Sequence, residues 1–410
     1  MKKLSNMRIL GKDVYVSNDC RKTGLNNNDM VIGSASSGKT GTYVVPNICC
    51  ISGSMVVSDT KGLLWRRFSE PLKKRGYKVA VIDFVNPENS AGYNPLAYIR
   101  RNSDGSWRET DIKRVATTLV PPLDRREPFW EKAAIRYIAM LISYVMDALP
   151  EEERNMLSVF RIVSLPKNDR ETLLTEWAFR HPNTLTATSY NRMSATTSAD
   201  RMWSSIMEFV NEALDPFGYR EMKSIFGAKE SFDIESLGRE KTVLFLNTSD
   251  NDTTFHVLCD VFHTQAMNRL LDYADSMEDG RLPVPVRFIL DDFGAASRIP
   301  GFENTISIIR SREISVSVIL QSLSQLQERY GKSNAETILN NTDHVLYYGG
   351  LDLETATFFA NHLNKPVNTV MKLRRDEAVL LTGGEDARVI RKLPPYSMQM
   401  EEEDESEEEM

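Results

Sequence analysis

The chain has 410 residues, 41% hydrophobic and 26% charged, an ordinary globular composition with room for two domains. Its formal net charge of −7 is carried by the end: residues 401–410, EEEDESEEEM, hold eight acidic side chains, and taking these away leaves +1, so a uniformly basic body is excluded and any surface for nucleic acid must come from local clustering of Lys and Arg. The four cysteines, Cys20, Cys49, Cys50 and Cys259, lack the paired spacings of a zinc site, no secretory signal opens the chain, and the most apolar run, 137–146, is about half the ~20 residues that cross a bilayer. A reducing cytoplasm is the expected setting.

After a polar leader with the turn-forming GLNNND at 24–29, three strand-like runs, DMVIGSA, SMVVSD and YKVAVIDF, alternate with helical patterns at 39–51 and 63–75. That alternation predicts a parallel sheet covered by helices. From 99 to 235 strand texture disappears and Trp, Met and Leu recur at helical spacing, which predicts an all-helical insertion. Strand texture resumes at 241–247, 286–292, 314–322 and 344–350. The expected domains are therefore a discontinuous nucleotide-binding domain over 1–98 and 236–395, an all-alpha domain over 99–235, and an acidic tail over 396–410 that self-repulsion keeps disordered.

The segment VIGSASSGKTGTYVVPNI carries the clearest chemistry. Gly33, Ser34, Ala35, Ser36, Ser37, Gly38, Lys39, Thr40 and Gly41 lie between a strand and a helix, where backbone N–H groups of a Gly-rich turn bind phosphate oxygens. Lys39 supplies a point charge at the β/γ phosphates and the Thr40 hydroxyl a Mg2+ position, so ATP with Mg2+ is the expected ligand. Such a loop requires a carboxylate at the end of a neighbouring apolar strand, and RFILDDFG offers Asp291 for the metal, through water, and Asp292 to orient the attacking water. Arg310 and Arg312, in IIRSREIS, are candidates for stabilising phosphate charge in cis or across a subunit boundary, and Gln321 for sensing the γ-phosphate from the next strand end.

Taken in order, GSASSGKT…VVPN, SDTKGLLW, YNPLAYI, PFWEKAA, FILDDFGAASRIPGFE, RSREISVSVILQSLSQL and TILNNTDHVLYYGG resemble the type IV secretion coupling proteins of the TraG and TraD kind, hexameric motor ATPases of conjugative DNA transfer, over about 28–395. The resemblance implies an α/β fold, a P-loop RecA-like parallel-sheet motor domain with an inserted all-helical domain. It puts the family's catalytic positions on Lys39, Thr40, Asp291 and Asp292, its arginine finger on Arg310 and its strand-end Gln on Gln321. Asp59 and Lys61 match an Asp-Pro-Lys-Gly element in which Thr60 replaces Pro, as a supporting ion pair or as a helix cap.

The implied partners are DNA bound through its backbone, hence with steep salt dependence, relaxase and relaxosome accessory proteins reached through the all-alpha domain and the acidic tail, and a type IV secretion channel or membrane-anchor protein. The implied assembly is a homo-hexamer when active and a monomer in isolation, cytoplasmic and held peripherally at the inner face of the cell membrane through partners. Two departures stand out: Asp292 is a methylene shorter than the family's Glu, which implies slow hydrolysis, and the loop begins at Gly33, where many members first have transmembrane helices, which points either to a natural soluble subtype or to a trimmed form. A rival reading is a receptor for protein substrates in which ATP is mainly a conformational ligand. A chromosome-segregation or packaging motor fits SDTKGLL and ILQSLSQL less well.

Overall fold

The computed structural model describes residues 6–120, 129–194, 200–249, 254–291, 293 and 298–400. The chain divides into two compact units, one of Met1–Val81, Asp233–Asp250 and Met267–Met410, the other of Ile82–Phe232 and Asn251–Ala266.

The strands are β1 (Met7–Gly11), β2 (Val14–Ser17), β3 (Asp29–Ile32), β4 (Ser54–Asp59), β5 (Lys78–Asp83), β6 (Thr242–Asn247), β7 (Val286–Leu290), β8 (Ile314–Leu320), β9 (His344–Tyr347), β10 (Glu377–Thr382) and β11 (Arg388–Arg391). β1 and β2 form an antiparallel hairpin. Among the described residues the other nine form one sheet in the order β11-β10-β9-β3-β8-β7-β4-β6-β5. Its centre is parallel, through β9–β3, β3–β8, β8–β7, β7–β4 and β4–β6. Every residue of β3, β6, β7, β8 and β9 is buried, as continuous runs are when helices cover both faces of a parallel sheet.

One edge departs from the all-parallel expectation: β10 runs antiparallel to β9, and β11 to β10. The sheet is mixed. The polar leader also holds β1, which a buried side chain clamps: Asn47 accepts from Ile9 N–H at 3.0 Å and donates to Ile9 O at 2.9 Å. Asn47 belongs to the VVPNI segment behind the loop, so that helix fixes the hairpin.

The expected helix at 63–75 is observed at Leu63–Lys74, burying Leu64, Phe68 and Leu72 at four-residue spacing. β3 begins on a buried charge. In the parallel register Asp29 stands beside Ser317 and His344. It pairs with Arg8 at 3.0 Å and Arg287 at 3.4 Å and accepts from Tyr43 Oη at 2.5 Å. Burial opposes ionisation of Asp29, but Arg8, Arg287, His344 and Tyr43 outweigh it and hold its pKa below the ordinary value.

In the second unit, helices Glu109–Leu119, Met156–Val163, Leu185–Ser194 and Asp200–Leu214 pack on the long helix Phe129–Ala148. The apolar run 137–146 is its buried stretch, with Tyr137 edge-on to Trp203 at 5.2 Å. Among the described residues no helix is long and apolar enough to cross a membrane.

His263, on the helix His256–Asp275, is buried, and burial depresses its imidazole to about 4 against a smaller opposing hydrogen bond to the Cys259 backbone. The fold holds the ring neutral where the unfolded chain protonates it near 6.5. Its contribution is therefore complete above that value and is lost as pH falls towards 4, by about 3 kcal/mol. Urea midpoints taken at pH 7.5 and 4.5 should fall towards acid in the wild type and fall less in His263→Gln; an equal fall in both removes His263 as the cause.

Candidate nucleotide site

The turn after β3 is held by both neighbouring strands. Gly33 N–H donates to Leu320 O, the last residue of β8, at 3.1 Å, and Ser34 N–H to Gly349 O, past β9, at 3.0 Å. The loop then turns through left-handed Ser36 (φ 62°) and Gly38 (φ 90°). Gly33 is required by crowding: a Cβ there would lie 2.7 Å from Ser37 Oγ and 2.8 Å from Tyr348 Cβ.

Lys39 Nζ is buried and donates to Gly33 O at 2.6 Å and Ser34 O at 3.1 Å, which places the ammonium inside the turn. Ser34, Ala35 and Ser36 form an exposed rim. Ser37 Oγ is buried with no hydrogen-bond partner among the described residues. A cationic amine, an unsatisfied hydroxyl and a Gly-rich turn opening a helix suit a phosphate chain.

Across the sheet, Thr40 Oγ1 donates to Asp291 Oδ2 at 2.9 Å, joining residues 251 positions apart. That hydroxyl and carboxylate are a hard-oxygen donor pair suited to Mg2+ and its water shell. β8 lies between the loop strand β3 and the acid strand β7. Leu320 O holds Gly33, and Ile319 O accepts from Phe293 N–H at 3.0 Å, so Gln321, next in the chain and exposed, sits between the loop and Asp291. Asp292 lies outside the described residues.

Arg310 does not join this group within the chain. It precedes β8, whose far end is the one beside the loop, and at ~3.3 Å per residue that strand spans about 20 Å. Its guanidinium donates at 2.8 Å to Gly24 O, which precedes β3 at the opposite end of the strands, and Arg312 there pairs with Asp275 at 3.0 Å. Of the two readings of Asp59, the cap matches the geometry: Oδ2 accepts from Trp65 N–H at 2.8 Å at the start of the helix Leu63–Lys74. Burial raises the Asp59 pKa, against lowering by the backbone N–H groups of Trp65, Lys61, Leu64 and Leu63.

Sequence reasoning missed the segment after β11. Lys392 Nζ donates to Ser37 O at 3.1 Å and lies 4.6 Å from the Tyr348 ring centroid, and Tyr396 N–H donates to Gly41 O at 2.9 Å. The available signal was the β-branched pair Val389 and Ile390 between the turn-forming GGED and PP.

A strand, phosphate loop and helix on a largely parallel sheet, with the acid strand one place removed, define a P-loop α/β protein. The chain belongs to the type IV secretory system conjugative DNA transfer family, whose model matches residues 2–369. It is 22% identical over 341 residues to protein VirD4 of Rhizobium rhizogenes, covering 82% of this chain and 49% of that protein. It is 25% identical over 356 residues to conjugal transfer protein TraG of Escherichia coli, covering 81% and 54%. The chain thus spans about half the length of these relatives.

Among solved structures it is similar to plasmid coupling protein TrwB in complex with ADP and Mg2+, with TM-score 0.69, 15% identity and 89% and 84% of the two chains covered. TrwB with the GTP analogue GDPNP is similar to the same degree, at TM-score 0.69 and 15% identity, covering 89% and 85%. VirB4 of Thermoanaerobacter pseudethanolicus follows at TM-score 0.56 and 16% identity, covering 96% and 98%. The fold is the expected RecA-like P-loop α/β domain with a helical domain, apart from the antiparallel edge at β10 and β11.

Proposed function

We propose that this chain is the coupling ATPase of a type IV secretion or conjugation system, binding ATP with Mg2+ and using hydrolysis to deliver DNA into a transfer channel. The observation that carries this is the convergence of Lys39, Thr40, Asp291 and Gln321 on one end of the parallel strands. Thr40 would hold the metal directly and Asp291 through water, and the metal when bound neutralises charge on the β and γ phosphates. Lys39 would exchange its two loop carbonyls for phosphate oxygens, Asp292 would hold the attacking water, and Gln321 would contact the γ-phosphate.

Arg310 acts in this reading on the site of a neighbouring subunit, since its own lies across the sheet; this supports a ring, taken as a homo-hexamer. Conjugal-transfer membership supports DNA as cargo and a secretion channel as destination. Relaxase and accessory proteins would dock on the helical unit and the tail 401–410, and the secretion channel or a membrane-anchor protein would hold the chain at the inner face of the membrane.

The test is complementation. Lys39→Ala and Arg310→Ala proteins should each be inactive, and mixing them should restore part of the turnover, because the first lends its Arg310 to the intact loop of the second. No recovery, in mixtures shown to co-assemble, removes the intersubunit role of Arg310.

A further inference from the structure

The segment from Lys392 to Met400 lies across the outer side of the phosphate loop. Lys392, buried and fixed by a hydrogen bond from its N–H to Asp376 O at 2.8 Å, ties the segment to Ser37 O. Pro395 and Tyr396 then pack directly on Gly41: a Cβ at that glycine would lie 2.9 Å from Tyr396 Cε2, 3.0 Å from Cδ2 and 3.1 Å from Pro395 Cβ. Tyr396 is left-handed (φ 57°), a conformation held here by its N–H bond to Gly41 O. From the helix Leu63–Lys74, Arg67 reaches the same place, its guanidinium carbon 5.5 Å from the Tyr396 ring centroid and its Nη2 donating to Met398 O at 2.9 Å. Even so, Tyr396 is 53% exposed.

The order of residues along the loop gives the direction of a bound nucleotide. Asp291 and Gln321, the groups suited to the reacting γ-phosphate and the metal, approach the loop from β7 and β8, on one side of β3. The Lys392–Met400 segment starts from β11, crosses the loop at Ser37 O and Gly41, and ends against Arg67 of the helix Leu63–Lys74. Gly41 follows Lys39 and Thr40, the groups suited to the terminal phosphates and the metal, so a nucleotide with its terminal phosphate towards Asp291 brings its nucleoside end past Gly41, where Tyr396 offers an open aromatic ring backed by a cation.

We propose that Tyr396, backed by Arg67, is the stacking wall for the base of the bound nucleotide. The proposal rests on the nucleotide reading of the loop. Stacking uses the π-face that every base has and reads no base edge, so the wall serves ATP and GTP alike.

Isothermal titration of the wild type, Tyr396→Ala and Tyr396→Phe with ATP, GTP and inorganic tripolyphosphate, all with Mg2+, separates the contributions. Tyr396→Ala should bind ATP and GTP about tenfold more weakly, bind tripolyphosphate as the wild type does, and Tyr396→Phe should retain nearly full affinity. Retained tripolyphosphate binding also reports that the loop is intact in the variant. Equal weakening for tripolyphosphate would overturn the proposal, since the segment then only shapes the loop. Unchanged binding of all three overturns it as well. A wild type that binds tripolyphosphate but binds nucleotides no more tightly overturns the wall and leaves the phosphate site standing, whereas a wild type that binds none of the three overturns both.

Discussion

Lys39→Ala should lower nucleotide affinity and turnover together, with turnover falling by ~10²–10³, the usual loss when one buried donor to developing negative charge is removed. The ammonium is pre-positioned, buried within the loop on Gly33 O and Ser34 O, so little reorganisation is needed for it to grip phosphate. The same contacts give the substitution a structural cost: two loop carbonyls lose a charged donor, about 1–3 kcal/mol if water does not replace it. Lys39→Arg separates the effects, because it keeps the charge but its fork does not fit between two carbonyls at these distances. Nucleotide titration alongside steady-state hydrolysis reads both, and wild-type hydrolysis by Lys39→Ala would remove this loop from the chemistry.

Asp29→Ala has the largest expected effect on stability, about 3–5 kcal/mol, because it leaves two buried guanidinium groups without their carboxylate. Arg8 keeps Asn27 Oδ1 at 2.8 Å and Asn18 Oδ1 at 3.0 Å, and Arg287 keeps Asn27 O at 3.0 Å and Ser317 Oγ at 3.1 Å, so both remain hydrogen-bonded yet unneutralised. Tyr43, one turn beyond Thr40, loses its acceptor and keeps only Ser317 Oγ at 2.8 Å, so the helix behind the phosphate loop loosens as well.

The pH dependence separates this residue from His263. A carboxylate whose folded pKa is lowered contributes fully above its unfolded value, about 3.9, and loses that contribution as pH falls through the folded value. The difference between wild type and Asp29→Ala should therefore be constant from about pH 7 to 8, above the range in which His344 beside Asp29 titrates, and shrink in strong acid as Asp29 itself is protonated. Urea unfolding at several pH values measures it, and a difference below about 1 kcal/mol at pH 7 would mean that water or rearrangement neutralises the arginines.

The central sheet was legible because its strands are uninterrupted apolar runs, and the loop because its chemistry needs particular residues at fixed spacing. The edge was not. β11 is four residues with three exposed, two of them arginines, and β1 lies in a stretch whose polarity masks Ile9 and Leu10. Nothing in the sequence sets Arg8 and Arg287 apart from other arginines; the register that sets Asp29 beside Ser317 and His344 makes them core residues. Arg310 could be named from its place in RSREIS, but its distance from the chain's own loop follows from which end of β8 it occupies.

Contacts with the segment after β11 depend on chain crossings that no local pattern encodes. The glycine at position 41, read as part of the loop, also makes room for Tyr396.

Whether nucleotide turnover at this loop drives DNA transfer is read from ATP hydrolysis with and without DNA, with molecular mass measured on the same samples. Hydrolysis should be slow without DNA, rise several-fold with DNA alongside assembly beyond the monomer, and lose both basal and stimulated rates in Lys39→Ala. Hydrolysis indifferent to DNA and to assembly, with relaxase binding that still responds to ATP, would contradict this and favour a protein receptor in which the nucleotide is only a conformational ligand.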